Sequence, residues 1–168
     1  SKEQSVLYED HSIVTAETAS TFFEAVVADN LLKSLSETEQ IALLNNLICD
    51  KIGTIMMCVA RFSAELEIHE TIRKNGSMRW QEMSECLARH FKAYSGPSVL
   101  FSDTDGHSIV SKVHYRMNFY QYSYAFGSLA SGIMFKRYKE NPTFSKKVDE
   151  FLSSGRKDSV DNIFKEIG

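Results

Sequence analysis

The sequence has few of the residues that interrupt helices: its 168 residues include only two prolines, Pro97 and Pro142, and eight glycines. It also lacks any alternation of apolar and polar residues that extends beyond a few positions, which argues against β-strands. Apolar residues recur instead at helical spacing between a few Gly and Pro stops. The sequence therefore predicts an all-α fold, a multi-helix bundle.

Cysteine is scarce as well, with only Cys49, Cys58 and Cys86. They lie in apolar helical patterns, are odd in number and lack the CxxC spacing of many metal sites. We therefore interpret them as buried, reduced thiols in a reducing compartment.

Strong charge of either sign is missing, since 19 basic and 22 acidic residues give a net charge of −3. The basic residues are dispersed, so nucleic acid is excluded as an expected partner. No apolar run approaches the roughly 18 residues of a membrane span, and the first residues lack the apolar stretch of a signal peptide. We expect a cytoplasmic protein without a membrane partner.

Enough apolar sequence is present, at 43%, for one core without disulfide or metal support. We predict a single helical domain over residues 1–168. A capping box, Ser36 to Glu39, opens an unusually long second helix. The predicted helices cover residues 15–34, 36–74, 78–94, 118–139, 144–152 and 160–167.

Aromatic residues are concentrated in residues 114–126. This segment contains His114, Tyr115, Phe119, Tyr120, Tyr122, Tyr124 and Phe126, and a run of small residues follows it. Phenol hydroxyls beside a histidine suit a cleft that receives an extended chain and stabilises charge forming on it. An aromatic core helix is the alternative.

Helical geometry divides this segment into two faces. One stripe is apolar and is predicted to be buried: Tyr115, Phe119, Tyr122, Phe126, Leu129 and Ile133. Tyr120 and Tyr124 fall on roughly the opposite face, above a shallow groove formed by Gly127 and Ser131. The pattern alone leaves open whether that second face is functional.

The first helix carries a polar stripe at positions i, i+3, i+4 and i+7, formed by Glu17, Ser20, Thr21 and Glu24. Such a stripe can supply a carboxylate metal ligand and a second carboxylate that orients neighbouring histidines. A solvated helix face is the alternative.

Five motifs occur in a familiar order: residues 17–24 (ETASTFFE), 53–54 (GT), 65–70 (ELEIHE), 94–97 (YSGP) and 114–127 (HYRMNFYQYSYAFG). In this order and separation the chain resembles the oligoendopeptidase F group of thimet-type zinc oligopeptidases over nearly its whole length. The family's HExxH motif is absent, because the only His-Glu pair is His69-Glu70 and Arg73 lies four residues after His69.

The resemblance implies the C-terminal lobe of a larger zincin-type oligopeptidase. In this group Glu17 corresponds to the third zinc ligand, and Glu24 to the carboxylate that positions the zinc-binding histidines. His114 corresponds to the histidine that binds the substrate carbonyl. The tyrosines correspond to the group that stabilises the oxyanion, and we favour Tyr124 and Tyr120 over Tyr122.

The function implied is therefore part of a zinc-dependent enzyme that cleaves internal bonds of short peptides. The parent would bind zinc, whereas this chain alone would bind it weakly or not at all and be inactive. Its partners would be short peptides and the upstream part of the same polypeptide.

Two other functions compete with this one. The first is a noncatalytic helical module that binds peptides or other partners. The second is a carboxylate-bridged metal bundle, which is disfavoured because no histidine follows a glutamate by three residues. We interpret His69 and the glutamates at 65, 67 and 70 as a polar helix face or an internal pairing, and see no metal-type spacing around His11, His90 and His107.

Overall fold

A computed structural model describes residues 3–117 and 119–167, and every regular element within these ranges is helical. The seven α-helices are α1 (Ile13–Leu32), α2 (Glu37–Asn75), α3 (Trp80–Ser95), α4 (Ser108–Ser111), α5 (Tyr122–Glu140), α6 (Ser145–Ser153) and α7 (Val160–Ile167). Three short 3-10 segments, Asp103–His107, Val113–Arg116 and Pro142–Phe144, join them. The predicted all-α class is confirmed.

Local capping residues define several ends of the first three helices. The Ser12 hydroxyl accepts the Thr15 N–H at the start of α1, and Glu39 accepts the Ser36 N–H at 2.9 Å before α2. Gly76 and Gly96, with φ of 84° and 74°, follow α2 and α3. The observed α2 is 39 residues long, and its bounds lie within one residue of the predicted range, 36–74.

The chain forms two compact units. Unit 1 contains residues 1–46 and 126–168, and unit 2 contains residues 47–125. The chain passes between them within α2 and again within α5. The single domain predicted above stays a prediction.

Unit 1 has its own apolar core, in which α1 and α5 to α7 take part. Its buried members are Phe22, Met134, Phe144, Val148, Phe151, Ile163 and Ile167. Close packing of α5 on α1 depends on Gly127, because a Cβ there would lie 3.1 Å from the Cβ of Glu17.

Unit 2 has a second core between α2 and α3, formed by Ala60, Ala64, Ile68, Cys86, Leu87 and Phe91. Alanines on α2 let α3 approach closely. At Gly106 the 3-10 segment touches α3, and a Cβ would lie 1.9 Å from the Ser84 carbonyl oxygen. Only glycine fits that contact.

The predicted orientation of α5 is wrong. On the stripe predicted to be buried, Tyr122, Phe126, Leu129 and Ile133 are exposed, whereas on the opposite face Gly127 and Ser131 are buried. Gly127 makes the close contact with α1, and the larger apolar side chains lie on the outside of α5. Gly127 and Ser131 thus form no open groove.

Cysteine burial follows the prediction for two of three residues. Cys58 and Cys86 are buried, whereas Cys49 is exposed on α2. The three are free thiols.

Within the described residues, α2 alone is long and apolar enough to cross a membrane by length and composition. This differs from the prediction that no apolar run approaches that length. The core helix of a soluble protein can meet the same criterion, although only 6% of the most apolar part of α2 is buried. A cytoplasmic location and the lack of a membrane partner stay predictions.

Candidate active site

A series of single turns shapes the aromatic segment of unit 2 before α5 begins. The Met117 N–H donates to the His114 carbonyl at 3.2 Å, and the Tyr120 N–H donates to the Met117 carbonyl at 2.8 Å. The Ser123 hydroxyl then donates to the Tyr120 carbonyl at 2.7 Å. These turns fold the chain back, so that residues six and ten positions apart can meet.

Three rings meet as a result. The His114 imidazole stacks on Tyr120 with 4.9 Å between ring centroids and 29° between planes. Tyr124 stands edge-on to the imidazole at 5.8 Å and to Tyr120 at 5.4 Å. The Tyr124 hydroxyl lies 3.4 Å from His114 Nε2. We call these three residues the His-Tyr cluster.

The positions of the tyrosines differ in part from the prediction. The helix begins at Tyr122 rather than near residue 118, so Tyr120 precedes the helix and does not share a helix face with Tyr124. The two rings are nevertheless in contact. Tyr122 is 46% exposed instead of lying on a buried stripe. Residue 118 lies outside the described residues.

Phe119 packs the aromatic segment against α2, and the backbone of Phe119 itself has an unusual conformation. Its φ is 54°, the left-handed region that side chains other than glycine rarely adopt. The Phe119 ring contacts Phe62 at 5.7 Å and His69 at 5.0 Å. Its N–H donates to Glu65 Oε1 at 3.0 Å. These contacts stabilise the turn that precedes Tyr120.

Glu65 is thus a positioning residue that the sequence analysis treated only as part of a polar face or internal pair. Only 3% of it is exposed, and Oε2 has no hydrogen-bond partner. Burial raises the pKa of Glu65 above its ordinary 4.5, against the lowering effects of the Phe119 N–H and His69. Burial likewise raises the pKa of Tyr115.

Replacing Glu65 with Gln should therefore reduce the loss of stability at rising pH. A carboxyl with a raised pKa favours folding below its ordinary pKa, and this contribution is lost as pH rises through the folded-state pKa. Gln keeps an acceptor for the Phe119 N–H without a charge. Urea denaturation from about pH 4 upward, the range in which an ordinary carboxyl titrates, should show a flatter profile of unfolding free energy against pH for Glu65→Gln.

The same substitution at exposed Glu70 controls for removing one charge from α2. An identical pH profile for Glu65→Gln and the wild type would contradict the effect assigned to burial of Glu65.

The polar stripe of α1 belongs to unit 1. Glu17 is half-buried, where Gly127 packs on its backbone, whereas Ser20 and Glu24 are exposed. The Thr21 and Ser20 hydroxyls donate to the Glu17 carbonyl at 2.7 Å and 3.1 Å. Most of this stripe is a solvated face, and Glu17 is its one half-buried carboxylate. The ligand and catalytic roles of Glu17, Glu24, His114 and the tyrosines stay predictions.

A zinc ion would find only part of a site around Glu17. A half-buried carboxylate is a suitable ligand, but catalytic zinc needs about three protein ligands. Among residues 3–117 and 119–167, the single group of three ligand-type side chains close enough to share a metal is Glu67, Cys86 and His90. Glu17 fits as one ligand of a site completed by other residues.

The group of Glu67, Cys86 and His90 was not predicted from the sequence, because no metal-type spacing was assigned to His90. Cys86 and His90 are four residues apart on α3, a spacing that could have indicated it. Hydrogen bonds from Arg89 and His90 lower the pKa of Glu67 to about 2. Burial, followed by the charge of Glu67, raises the pKa of Cys86 to about 11.

Comparison with known proteins identifies the family. The family model described as "Peptidase family M3" matches residues 1–168. An "Oligoendopeptidase F homolog" from Borreliella burgdorferi is 30% identical over 93% of this chain and 24% of its own length. "Oligopeptidase PepF" from Bacillus subtilis is 25% identical over 99% of this chain and 25% of its own.

A third relative, "Group B oligopeptidase PepB" from Streptococcus agalactiae, is also 25% identical over 99% of this chain, and 28% of the relative is covered. No solved structure matches the chain significantly. The chain thus spans about a quarter of the length of the curated relatives it matches. The resemblance inferred from the motifs is confirmed.

Proposed function

Because the chain belongs to peptidase family M3, we propose that it is the C-terminal part of the catalytic domain of a zinc-dependent oligopeptidase. The parent enzyme would hydrolyse internal bonds of short peptides. The His-Tyr cluster is the observation that supports this proposal most directly, because it collects two kinds of hydrogen-bond donor on one short segment.

Within the cluster, Tyr124 is the candidate oxyanion donor. In the tautomer in which His114 Nε2 is the acceptor, the Tyr124 hydroxyl hydrogen can turn from Nε2 toward a substrate oxygen, since the 3.4 Å separation leaves a weak bond to break. A donor already in place when charge forms lowers the barrier without reorganisation. Tyr124 would thus stabilise the tetrahedral intermediate.

His114 would bind the substrate carbonyl by donating from a ring nitrogen. Stacking on Tyr120 and edge contact with Tyr124 fix the plane of its imidazole. A fixed ring loses little entropy when the peptide binds. Tyr120 would therefore act mainly by orienting His114, with its own hydroxyl as a second candidate donor.

Glu17 would hold the zinc as one ligand, with Glu24 orienting the histidines that complete the site. Bound zinc in such enzymes polarises the scissile carbonyl and lowers the pKa of a bound water. Since the HExxH residues lie outside these 168 residues, the chain alone should bind zinc weakly through Glu17. The isolated chain should be inactive for the same reason.

The exposed apolar surface of unit 1 supports the proposal that the upstream polypeptide is a partner of this chain. Phe126, Leu129 and Ile133 line an open groove of about 300 Å³ together with Phe164 and Arg137. A contiguous apolar patch of this kind usually marks an interface. In the parent it would be covered by other parts of the catalytic domain.

The proposal is tested by comparing the isolated chain with the full-length enzyme on a quenched short peptide. We expect chelator-sensitive hydrolysis by the full-length enzyme and none by the isolated chain. Glu17→Gln in the full-length enzyme should weaken zinc binding by at least about tenfold, measured as metal content against chelator concentration.

Glu140→Gln, at an exposed carboxylate on α5, is the matched control and should keep zinc and activity. Chelator-sensitive turnover by the isolated chain would contradict the fragment assignment. Full-length protein without hydrolysis, but with saturable peptide binding, would instead support the noncatalytic module.

A further inference from the structure

The strongest feature outside the proposed catalytic residues is a group of three different ligand-type side chains in unit 2. Glu67 lies on α2, and Cys86 and His90 lie on α3. Each offers one ligand atom, and these atoms all lie within 4.8 Å of one another. Carboxylate oxygen, thiolate sulfur and imidazole nitrogen together are a ligand set typical of zinc.

The group is built on rigid elements. Cys86 and His90 are four residues apart on α3 and therefore project from the same helix face. Cys86 is one of the buried core residues that pack α3 against Ala60 and Ala64 of α2. Two ligands thus have fixed backbone positions, which reduces the cost of ordering a metal site.

Glu67 is the most exposed of the three ligand side chains, so it is the one most able to change its position. Glu67 Oε2 lies 2.9 Å from His90 Nε2, and its side chain is 38% exposed. A tetrahedral zinc with bonds of about 2.0–2.3 Å holds ligand atoms roughly 3.3–3.8 Å apart. The three ligand atoms all lie within 4.8 Å of one another, so shifts of about 1 Å would bring them to this geometry.

Arg89 orients the carboxylate from outside. Its Nη2 donates to Glu67 Oε1 at 2.5 Å, which leaves Oε2 directed at His90. Hydrogen-bonded partners of this kind commonly hold ligating carboxylates in place. The Cys86 Sγ contacts the Ala64 carbonyl at 3.9 Å and interacts with the side chains of Glu67 and Arg89, so a metal would replace the weak hydrogen bonds of a thiol.

We propose that Glu67, Cys86 and His90 bind one divalent transition-metal cation, zinc or a close analogue, and that this cation joins α2 to α3. Water would complete the coordination on the exposed side. Binding would release the Cys86 thiol proton to solvent, because the thiolate is the ligand. The proposal does not depend on the peptidase function.

Cobalt(II) titration of the 168-residue chain tests the site, because a cobalt–thiolate bond gives a near-ultraviolet charge-transfer band. We expect that band to saturate at about one cobalt per chain and to disappear in Cys86→Ser. Cys49→Ser removes an exposed thiol on α2 and should keep the charge-transfer band. Glu17→Gln should also keep it, which separates this site from the proposed catalytic ligand.

A second variant covers the case in which Cys86→Ser fails to fold. His90→Gln changes a half-buried side chain and should weaken cobalt binding by at least about tenfold, while circular dichroism shows unchanged helicity. No charge-transfer band in the wild type, or unchanged affinity in His90→Gln, would overturn the proposal. A band lost in Cys49→Ser but kept in Cys86→Ser would show adventitious binding and overturn it equally.

Discussion

In the full-length enzyme, replacing Tyr124 with Phe should lower kcat by about 10²–10³-fold, with KM little changed. The substitution removes one hydroxyl and keeps the ring that packs against His114 and Tyr120. An oxyanion donor acts mainly when charge has formed, so its loss affects the transition state more than substrate binding. Steady-state kinetics on a short quenched peptide measures both constants.

Tyr122→Phe is the matched control for this prediction. It removes the same hydroxyl two residues away, from a side chain that is 46% exposed, and should leave kcat nearly normal. Near-normal kcat in Tyr124→Phe would refute the role of that hydroxyl. A fall in both variants accompanied by lower thermal stability would indicate structural damage instead.

Replacing Gly106 with Ala should destabilise the chain by about 1–3 kcal/mol or more. The added Cβ would lie 1.9 Å from the Ser84 carbonyl oxygen and 2.8 Å from the Ser84 hydroxyl. The nearest atom belongs to the backbone of α3, so a rotamer change cannot relieve the contact. Urea denaturation followed by circular dichroism gives the free energy of unfolding.

Gly53→Ala is the matched control in the same experiment and should not lower the free energy of unfolding. Nothing lies within 4 Å of a Cβ at Gly53, which is inside α2. Alanine is the better helix former by about 1 kcal/mol, so this variant should be unchanged or more stable. Equal stability of the two variants would contradict the close approach at Gly106.

Helix boundaries could be predicted because their signals are local. Ser36 and Glu39 bond each other across three residues, and Gly76 and Gly96 adopt positive φ directly after their helices. Each interaction lies within a few positions in sequence, so pattern reading detects it. The start of α5 was predicted too early because Phe119 is held in a left-handed turn by Glu65, 54 residues away.

The buried face of α5 could not be predicted for a related reason. Apolar periodicity shows that one face differs from the other, but not which neighbour the helix meets. Gly127 allows close approach to α1, so the face with small side chains is buried. His114, Tyr120 and Tyr124 were named from the sequence, whereas their contact depends on successive turns that no periodic pattern shows.

Unit 1 is built from two stretches of chain with all of unit 2 between them, and this has a consequence for biosynthesis. A ribosome delivers α1 before unit 2, but the core partners of Phe22, such as Met134 and Phe151, emerge only after unit 2. Units commonly fold in the order in which they are completed during translation. Unit 2 can therefore fold before unit 1 is complete, and the apolar face of α1 lacks these core partners until residues 126–168 emerge.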